Sequence, residues 1–399
     1  MLIREYKLKG KAVQYRTIDR AIRTVQFVRN KAVAFWQDAQ PGQKTNLFAM
    51  HRLAKDLATE FPFVAQLGSQ ARQLAAERAS ISVTNFYRNC REKKPGKKGY
   101  PRFQKNCRSV EYSQAGWKLS EDCRRVIFTD KNGIGSLKLV GTIPLNQYPK
   151  EKIKRVRIVR RADGYYVQFV IDVERQELAP YTGSMIGLDV GLTSFLTDSN
   201  GEEMESPRFL RKTECRIKKM QRQVSKKQRG SANRRKARTR LGRAHLKVQR
   251  QRIDFATKLA RALYQSHDLI AYENLQVRNM VKNHRLAKSI SDAAWSLFRQ
   301  KLEYYARLFG KVAIPVDPRY TSQMCSSCGA VVKKTLSERT HACPCGAVLD
   351  RDHNAAMNIL ALGIQQLSSS TTGGHPESNA WGEDSLYPLL ATASGQAAS

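Results

Sequence analysis

Acidic residues are what this sequence most lacks. Against 70 Lys+Arg stand 34 Asp+Glu, leaving a net charge of +36 on 399 residues. Such an excess repels itself unless a polyanion neutralises it, so the expected partner is nucleic acid rather than a small-molecule substrate. Nor is there a run of about 18 apolar residues, which excludes a membrane-spanning segment. The opening Met1-Leu-Ile-Arg-Glu-Tyr alternates apolar and polar positions and reads as a strand, with no signal peptide expected. The seven histidines contain no His-x-His pair, which removes one chemistry for transferring DNA strands through a tyrosine. Eight cysteines in so long a chain do not make a disulfide scaffold and point to a reducing compartment. Cys90, Cys107, Cys123 and Cys215 are scattered and read as free thiols. The length allows roughly two to four domains with real cores.

The other four cysteines are paired. Cys325-Ser-Ser-Cys328 and Cys343-Pro-Cys345 each close on a glycine, Gly329 and Gly346. Two closely spaced thiolate pairs are what a tetrahedral structural Zn²⁺ needs, and a glycine lets backbone amides turn toward the sulfurs. Directly behind them stands Asp350-Arg351-Asp352-His353-Asn354-Ala355-Ala356.

Periodicity divides the chain. Residues 2–9 alternate like a strand. Ile18, Ile22, Val25, Val28, Ala32 and Phe35 recur at helical spacing, and helical patterning returns over 47–57 and 70–87. Pro95, Gly96, Gly99 and Pro101 break it. From 108 to 175 the chain reads as strands: Leu137, Leu139, Ile143 and Leu145 mark one. Val156/Ile158 and Val167/Phe169/Ile171/Val173 flank an Ala162-Asp163-Gly164 turn. A basic β-rich unit interrupted by helices could bind nucleic acid as a small barrel does, or could be a structural platform; both stand open.

After a break at Pro180–Gly183, Met185-Ile-Gly-Leu-Asp189-Val-Gly191 places one acid in an apolar strand. A second strand begins at 193–196, with a turn at Asn200-Gly201. A buried carboxylate is costly unless paired or bound to a cation, though strand acids are commonly exposed. Leu269-Ile-Ala-Tyr-Glu273 repeats the pattern. Asp352 opens a helix carrying Ala355, Ala356, Ile359 and Leu360, near whose positive end an acid could be a ligand, or Asp350 or Asp352 could merely cap the helix. Two strand acids and one helix acid are what a ribonuclease-H-like nuclease needs. Phosphodiester hydrolysis requires an activated water and a stabilised leaving oxygen, work that two Mg²⁺ ions about 3.5–4 Å apart can share on a few carboxylates.

With these motifs in order, the sequence resembles the TnpB family, RNA-guided nucleases of bacterial and archaeal insertion sequences related to type V CRISPR effectors. The resemblance runs over about residues 1–365. Its carriers are Lys97-Lys-Gly-Tyr-Pro-Arg-Phe103, Gly187-Leu-Asp-Val-Gly191, Tyr272-Glu-Asn-Leu275, Ser289-Ile-Ser-Asp-Ala-Ala-Trp295, Tyr320-Thr-Ser-Gln-Met-Cys-Ser-Ser-Cys-Gly329 and the Asp350 heptapeptide. It implies an α/β multidomain protein with a RuvC nuclease core of RNase H-like fold over 184–317 and 350–365. The catalytic, Mg²⁺-binding acids would be Asp189, Glu273 and Asp352, with Asp189 bridging both ions. A zinc ribbon over 318–349, holding Zn²⁺ on Cys325, Cys328, Cys343 and Cys345, would handle target nucleic acid. A wedge-like β-barrel over 1–15 and 99–183 would be interrupted by a helical recognition domain over 16–98. The implied activity is metal-dependent cleavage of double-stranded DNA directed by a guide RNA, beside a short target-adjacent motif, in a prokaryotic cytoplasm. The alternative is a non-cleaving, RNA-guided repressor of the same descent, whose usual mark, loss of one acid, is absent. The chain departs from the family in its Cys-Pro-Cys knuckle, where two intervening residues are usual.

Residues 207–252 hold 19 Lys/Arg and one acid, Glu214. Ile217, Met220, Val224, Leu241, Leu246 and Val248 suggest two helices joined at Gly230-Ser231, a structured phosphate-binding surface. Lys226, Lys227, Arg229, Arg234, Arg235, Lys236, Arg238 and Arg240 are its expected contacts, with Arg102 and, by register with the family, Gln73 elsewhere. Tyr100, Phe103 and Tyr320 could stack on bases or pack in cores. Residues 366–399 are rich in small polar residues and are expected to be a disordered tail.

Overall fold

The computed structural model describes residues 1–177, 179–335 and 338–372. They form two compact units, Met1–Arg175 and a second beginning at Gln176. The division precedes the Pro180–Gly183 break because the intervening chain bonds to the second unit's own residues. The Glu177 amide donates to the Leu308 carbonyl (2.8 Å), and the Thr182 and Gly183 amides donate to the Asp268 carboxylate.

The first unit comprises β1 (Leu2–Lys9), α1 (Ala12–Gln37), α2 (Leu47–Glu60), α3 (Pro62–Ala65), α4 (Ser69–Arg91), β2 (Ser109–Tyr112), β3 (Trp117–Leu119), β4 (Arg125–Phe128), β5 (Gly135–Val140), β6 (Ile153–Arg161) and β7 (Gly164–Ile171). The helices thus interrupt a sheet between its first and second strands. Ile18, Ile22, Val25, Val28 and Ala32 are buried on one face of α1, which is the stripe their spacing marks. The strands pair antiparallel in the order β2-β6-β7-β1-β5-β4-β3. That order is linear, so among the described residues no ladder joins β2 to β3 and the expected barrel is not closed by hydrogen bonds. The sheet nevertheless curls. Tyr112 of β2 meets Phe128 of β4 (ring centroids 5.0 Å apart), and Trp117 of β3 meets Phe169 of β7 (6.0 Å). Ile143 and Leu145 do not extend β5 as their alternation suggested. Gly141 lies against the Tyr6 ring where a Cβ would sit 2.6 Å away, Pro144 follows, and 145–147 is a 3₁₀ turn.

The second unit contains β8 (Met185–Asp189), β9 (Ser194–Asp198), β10 (Glu203–Glu205), α5 (Phe209–Ser225), α6 (Ala232–Ser266), β11 (Leu269–Glu273), α7 (Val277–Met280), α8 (Ala287–Ala293), α9 (Trp295–Phe309), β12 (Val312–Val316), β13 (Thr340–Ala342), β14 (Val348–Asp350) and α10 (Arg351–Thr372). Its main sheet runs β10-β9-β8-β11-β12, with β8, β11 and β12 parallel and the other two antiparallel. Residues alternate between two cores. Ile186, Leu188, Ile270 and Tyr272 pack with α6 and α9, whereas Leu269, Ala271, Val312 and Ile314 pack with α10. Burial on both faces explains why β11 reads as a continuous apolar run. At the entry to these strands a buried pair, Lys311 Nζ and Asp268 Oδ1 (2.9 Å), ties β12 to β11. Helix α10 continues beyond the expected end at 365. The rest of the expected tail, residues 373–399, lies outside the described residues.

Candidate active site and metal-binding ribbon

The apolar strands deliver two acids to one edge. Leu188 of β8 lies beside Tyr272 of β11, so Asp189 and Glu273 follow at neighbouring C-terminal strand ends. In open parallel sheets this is where ligands bind. The third acid arrives on α10, and two glycines decide how close it comes. A Cβ on Gly187 would sit 2.1 Å from the Ala356 carbonyl oxygen, and one on Gly363 would sit 2.6 Å from the Ala271 Cβ. With both absent, α10 lies against β8 and β11 and its first turn holds Asp352 near Asp189.

The electrostatics record that convergence. Burial first, then the charges of Glu273 and Asp352, push the Asp189 carboxyl well above the usual carboxylate range. Glu273 is also raised, by burial and by Asp352, while a 2.7 Å hydrogen bond from Thr321 Oγ1 acts the other way. Three oxygen-bearing acids with no soft donor among them suit a hard divalent cation such as Mg²⁺, which would relieve their repulsion. They are not drawn into a tight cluster. Asp352 Oδ1 accepts from Arg351 Nε (2.9 Å) and Nη2 (2.8 Å), and Oδ2 accepts from Arg339 Nη1 (3.2 Å). Arg339 Nη2 also reaches Thr193 Oγ1 (2.9 Å).

Asp350 has a different task. Its Oδ1 accepts from the Asp352 amide (2.8 Å) and the His353 amide (3.2 Å), the pattern of a carboxylate capping the start of α10. Asn354 of the same motif and Asn358, one turn further along α10, hold the ribbon. Asn354 Nδ2 donates to the Met324 carbonyl (2.8 Å) and its Oδ1 accepts from the Ser326 amide (3.0 Å). Asn358 Nδ2 donates to the carbonyls of Thr321 (2.8 Å) and Met324 (2.7 Å).

The two cysteine pairs fold as similar knuckles. The Gly329 amide closes on the Cys325 carbonyl and the Gly346 amide on the Cys343 carbonyl, each at 2.9 Å, both glycines having positive φ. The four sulfurs lie within 4.8 Å of one another, the one group of its kind among the described residues. Cys325 Sγ is 3.7 Å from Cys345 Sγ, and Cys328 Sγ is 3.6 Å from Cys343 Sγ. Thiolates at about 2.3 Å from a tetrahedral zinc would be roughly 3.8 Å apart, so the arrangement is compatible with one such ion despite the single-residue spacing of Cys343 and Cys345. The Cys328 amide, foremost among several donors, pulls the Cys325 thiol down to about 5.

The basic stretch forms the antiparallel pair α5 and α6. Lys226, Lys227 and Arg229 lie exposed in the turn between them, and Arg235, Lys236, Arg238 and Arg240 are exposed on α6. Arg234 differs: it is half-buried and its Nη1 donates to the Lys227 carbonyl (2.9 Å), so it shapes the turn. The stretch's single acid, Glu214, is pulled down to about 2 by hydrogen bonds from Lys218 and Lys288. Asp292 caps α5 through the amides of Leu210 (2.9 Å) and Arg211 (3.1 Å) and pairs with Arg252 (2.8 Å). Gln73 and Arg102 are exposed in the first unit.

Sequence reasoning passed over Thr321, Arg339 and Arg351. Thr321 sits in a motif already singled out and could have been found there; the arginines were hidden by the general excess of basic residues.

Comparisons with known proteins bear on the chain as a whole. Residues 168–284 match a family described as a probable transposase, and residues 295–359 match a Cas12f1-like TNB domain. A Streptomyces pristinaespiralis protein named "Putative RNA-guided DNA endonuclease" is 32% identical over 90% of this chain and 89% of its own. A relative from Escherichia coli strain K12 with the same kind of name is 29% identical over 77% of each chain. Among solved structures, a Cas12f1–sgRNA–target DNA complex superposes with a TM-score of 0.54 at 15% identity, covering 88% of this chain and 83% of that one, a likeness of fold. The relationship over nearly the whole length leads to one conclusion: the chain belongs to the TnpB family of RNA-guided DNA endonucleases.

Proposed function

We propose that this protein is an RNA-guided DNA endonuclease that hydrolyses phosphodiester bonds at Asp189, Glu273 and Asp352. The observation that carries the reading is the meeting of three acids from β8, β11 and α10 in a unit that also carries the basic α5–α6 pair. Two Mg²⁺ ions, when bound, would activate the attacking water and stabilise the leaving oxygen. Asp189, whose carboxyl feels the charges of both Glu273 and Asp352, would hold the ions together with them. Thr321 orients Glu273. Asp352 must leave its guanidinium partners to serve as a ligand. Cys325, Cys328, Cys343 and Cys345 would hold a structural zinc with no position left for water.

The curled sheet of the first unit takes the role of a wedge domain and its α1–α4 insertion that of a recognition domain. The exposed cations of the α5–α6 pair would grip the backbone of a guide–target heteroduplex, contacts that read charge and shape rather than sequence. All three acids are present, which speaks against the non-cleaving repressor. The test is to exchange the guide segment of the bound RNA. Cleavage of duplex DNA should move to the newly matching site, and cleavage that ignores the exchange, or proceeds without RNA, would refute the guided mechanism.

A further inference from the structure

The segment joining α4 to β2 carries a motif that the nuclease reading does not use. Residues 92–108 contain seven Lys/Arg and one acid. Gly96, Gly99 and the two prolines deny it regular structure, so its backbone groups need partners. Much of that need is met by side chains of two helices. Gln26 Oε1 accepts from the Cys107 amide (2.9 Å), Asn30 bonds both the carbonyl (3.0 Å) and the amide (2.8 Å) of Gln104, and Arg29 Nη1 donates to the Arg102 carbonyl (3.2 Å). Gln37 Nε2 donates to the Pro101 carbonyl and Asn89 Nδ2 to the Lys98 carbonyl. The chain is therefore a strap laid along α1, with much of its backbone engaged, Pro101 and Cys107 turned inward, and Lys97, Tyr100, Arg102, Phe103 and Lys105 exposed.

Those side chains interleave aromatic rings with cations. Tyr100 is 52% exposed and Phe103 53%, separated by Pro101 and the exposed Arg102, with exposed Lys97 before and Lys105 after. Tyr100 is braced rather than buried. Its ring lies 5.3 Å from Trp36 and 5.4 Å from Phe86, and Tyr87, 56% exposed, packs against the same two rings at 6.0 and 5.5 Å. The Tyr87 hydroxyl accepts from Trp36 Nε1 (3.2 Å), which leaves its own proton free to donate. Exposed rings on a fixed base, ringed by cations, cost solvent contact and gain nothing in the free chain. Unpaired bases stack on such rings while phosphates meet the cations.

We infer that the strap and the Trp36–Phe86–Tyr87–Tyr100 cluster form a stacking platform for an unpaired segment of the bound RNA. RNA rather than displaced DNA is favoured because the tyrosine hydroxyls can meet ribose 2′-OH groups, and single-stranded RNA is read by such combinations of stacking and hydroxyl contacts. The inference needs only that the protein binds RNA, and stands or falls apart from the nuclease reading.

The full-length protein with its co-purifying RNA, irradiated at short ultraviolet wavelength and digested, should yield RNA-adducted peptides containing Tyr100 or Phe103 before any DNA is added. Absence of such adducts, or their appearance only after target DNA is supplied, overturns the proposal. A second experiment follows affinity for a 15-nucleotide oligouridylate across a salt series. Tyr100→Leu and Phe103→Leu should each weaken binding about five- to a hundredfold with an unchanged salt slope, the signature of lost stacking. Tyr100→Trp should bind at least as tightly as the parent. Lys97→Gln with Lys98→Gln should instead flatten the slope. A Leu variant that binds like the parent, or one that loses affinity only by flattening the slope, contradicts a stacking platform.

Discussion

Gly187 and Ala356 touch where strand meets helix: a side chain on the glycine would place its first carbon 2.1 Å from the alanine's carbonyl oxygen. The contact lies two residues before Asp189 and four after Asp352, so it sets how near the two carboxylates come. Gly187→Ala must push α10 outward, and overpacking of this kind costs typically about 1–3 kcal/mol. The variant should melt earlier and cut DNA more than tenfold slower while retaining RNA. Thermal melts and single-turnover cleavage check this; parent-like values in both would mean that α10 does not rest on β8.

The ribbon is fastened to that helix by asparagines. Asn358 is buried, and removing its amide leaves the Thr321 carbonyl without its donor, while the Met324 carbonyl keeps the one from Asn354. The cost of such an orphaned group is about 1–3 kcal/mol. Asn358→Ala should make residues 318–349 more susceptible to limited proteolysis and slow cleavage, because Thr321 would no longer hold Glu273. Zinc content should stay at the parent's level, since no thiolate is touched. Loss of zinc in this variant would show that the asparagine acts on the knuckles instead.

Cys345 tests the knuckle whose spacing is unusual. Elemental analysis of the parent should find about one zinc per chain, and Cys345→Ser should lower it substantially, because a serine hydroxyl is a poor replacement for thiolate. The first unit should melt unchanged. A parent with no zinc, or a variant with full zinc, contradicts the four-sulfur assignment.

Far from the acids, at the opening ends of the parallel strands, Lys311 and Asp268 are both nearly fully buried. Lys311→Met leaves a carboxylate whose other oxygen is engaged by Thr182 and Gly183 but whose charge is unpaired. Breaking such a pair from one side costs about 3–5 kcal/mol. Urea denaturation should show that loss, while cleavage at low temperature should persist, because the site lies at the other end of the strands.

The placement of the three candidate acids was legible in the sequence because each ends an apolar run or opens a patterned helix, and such patterns are local. The α1 stripe, the hairpin around Asp163-Gly164 and the joint at Gly230-Ser231 were legible for the same reason. The misread stretches depend on distant contacts. Ile143 and Leu145 alternate as strand residues do, but Gly141 is claimed by the Tyr6 ring and the strand stops. Arg234 looks like its basic neighbours, yet its guanidinium folds back on Lys227. The arginines around Asp352 carry no pattern, since any of 70 cationic residues could have been there. Closure of the first sheet depends on which edges meet, and alternation says nothing about that.

The Asp350-Arg351-Asp352 segment offers the most direct test of the site, because one carboxylate is assigned to capping and its neighbour to chemistry. Asp352→Asn and Asp350→Asn should be compared in cleavage of a guide-matched duplex with Mg²⁺, with RNA and target binding measured alongside. The account predicts that Asp352→Asn abolishes cutting and leaves binding intact, whereas Asp350→Asn, which keeps an accepting oxygen for the Asp352 and His353 amides, cuts at close to the parent rate. If Asp352→Asn cuts normally and Asp350→Asn does not, the assignment of the three acids is wrong.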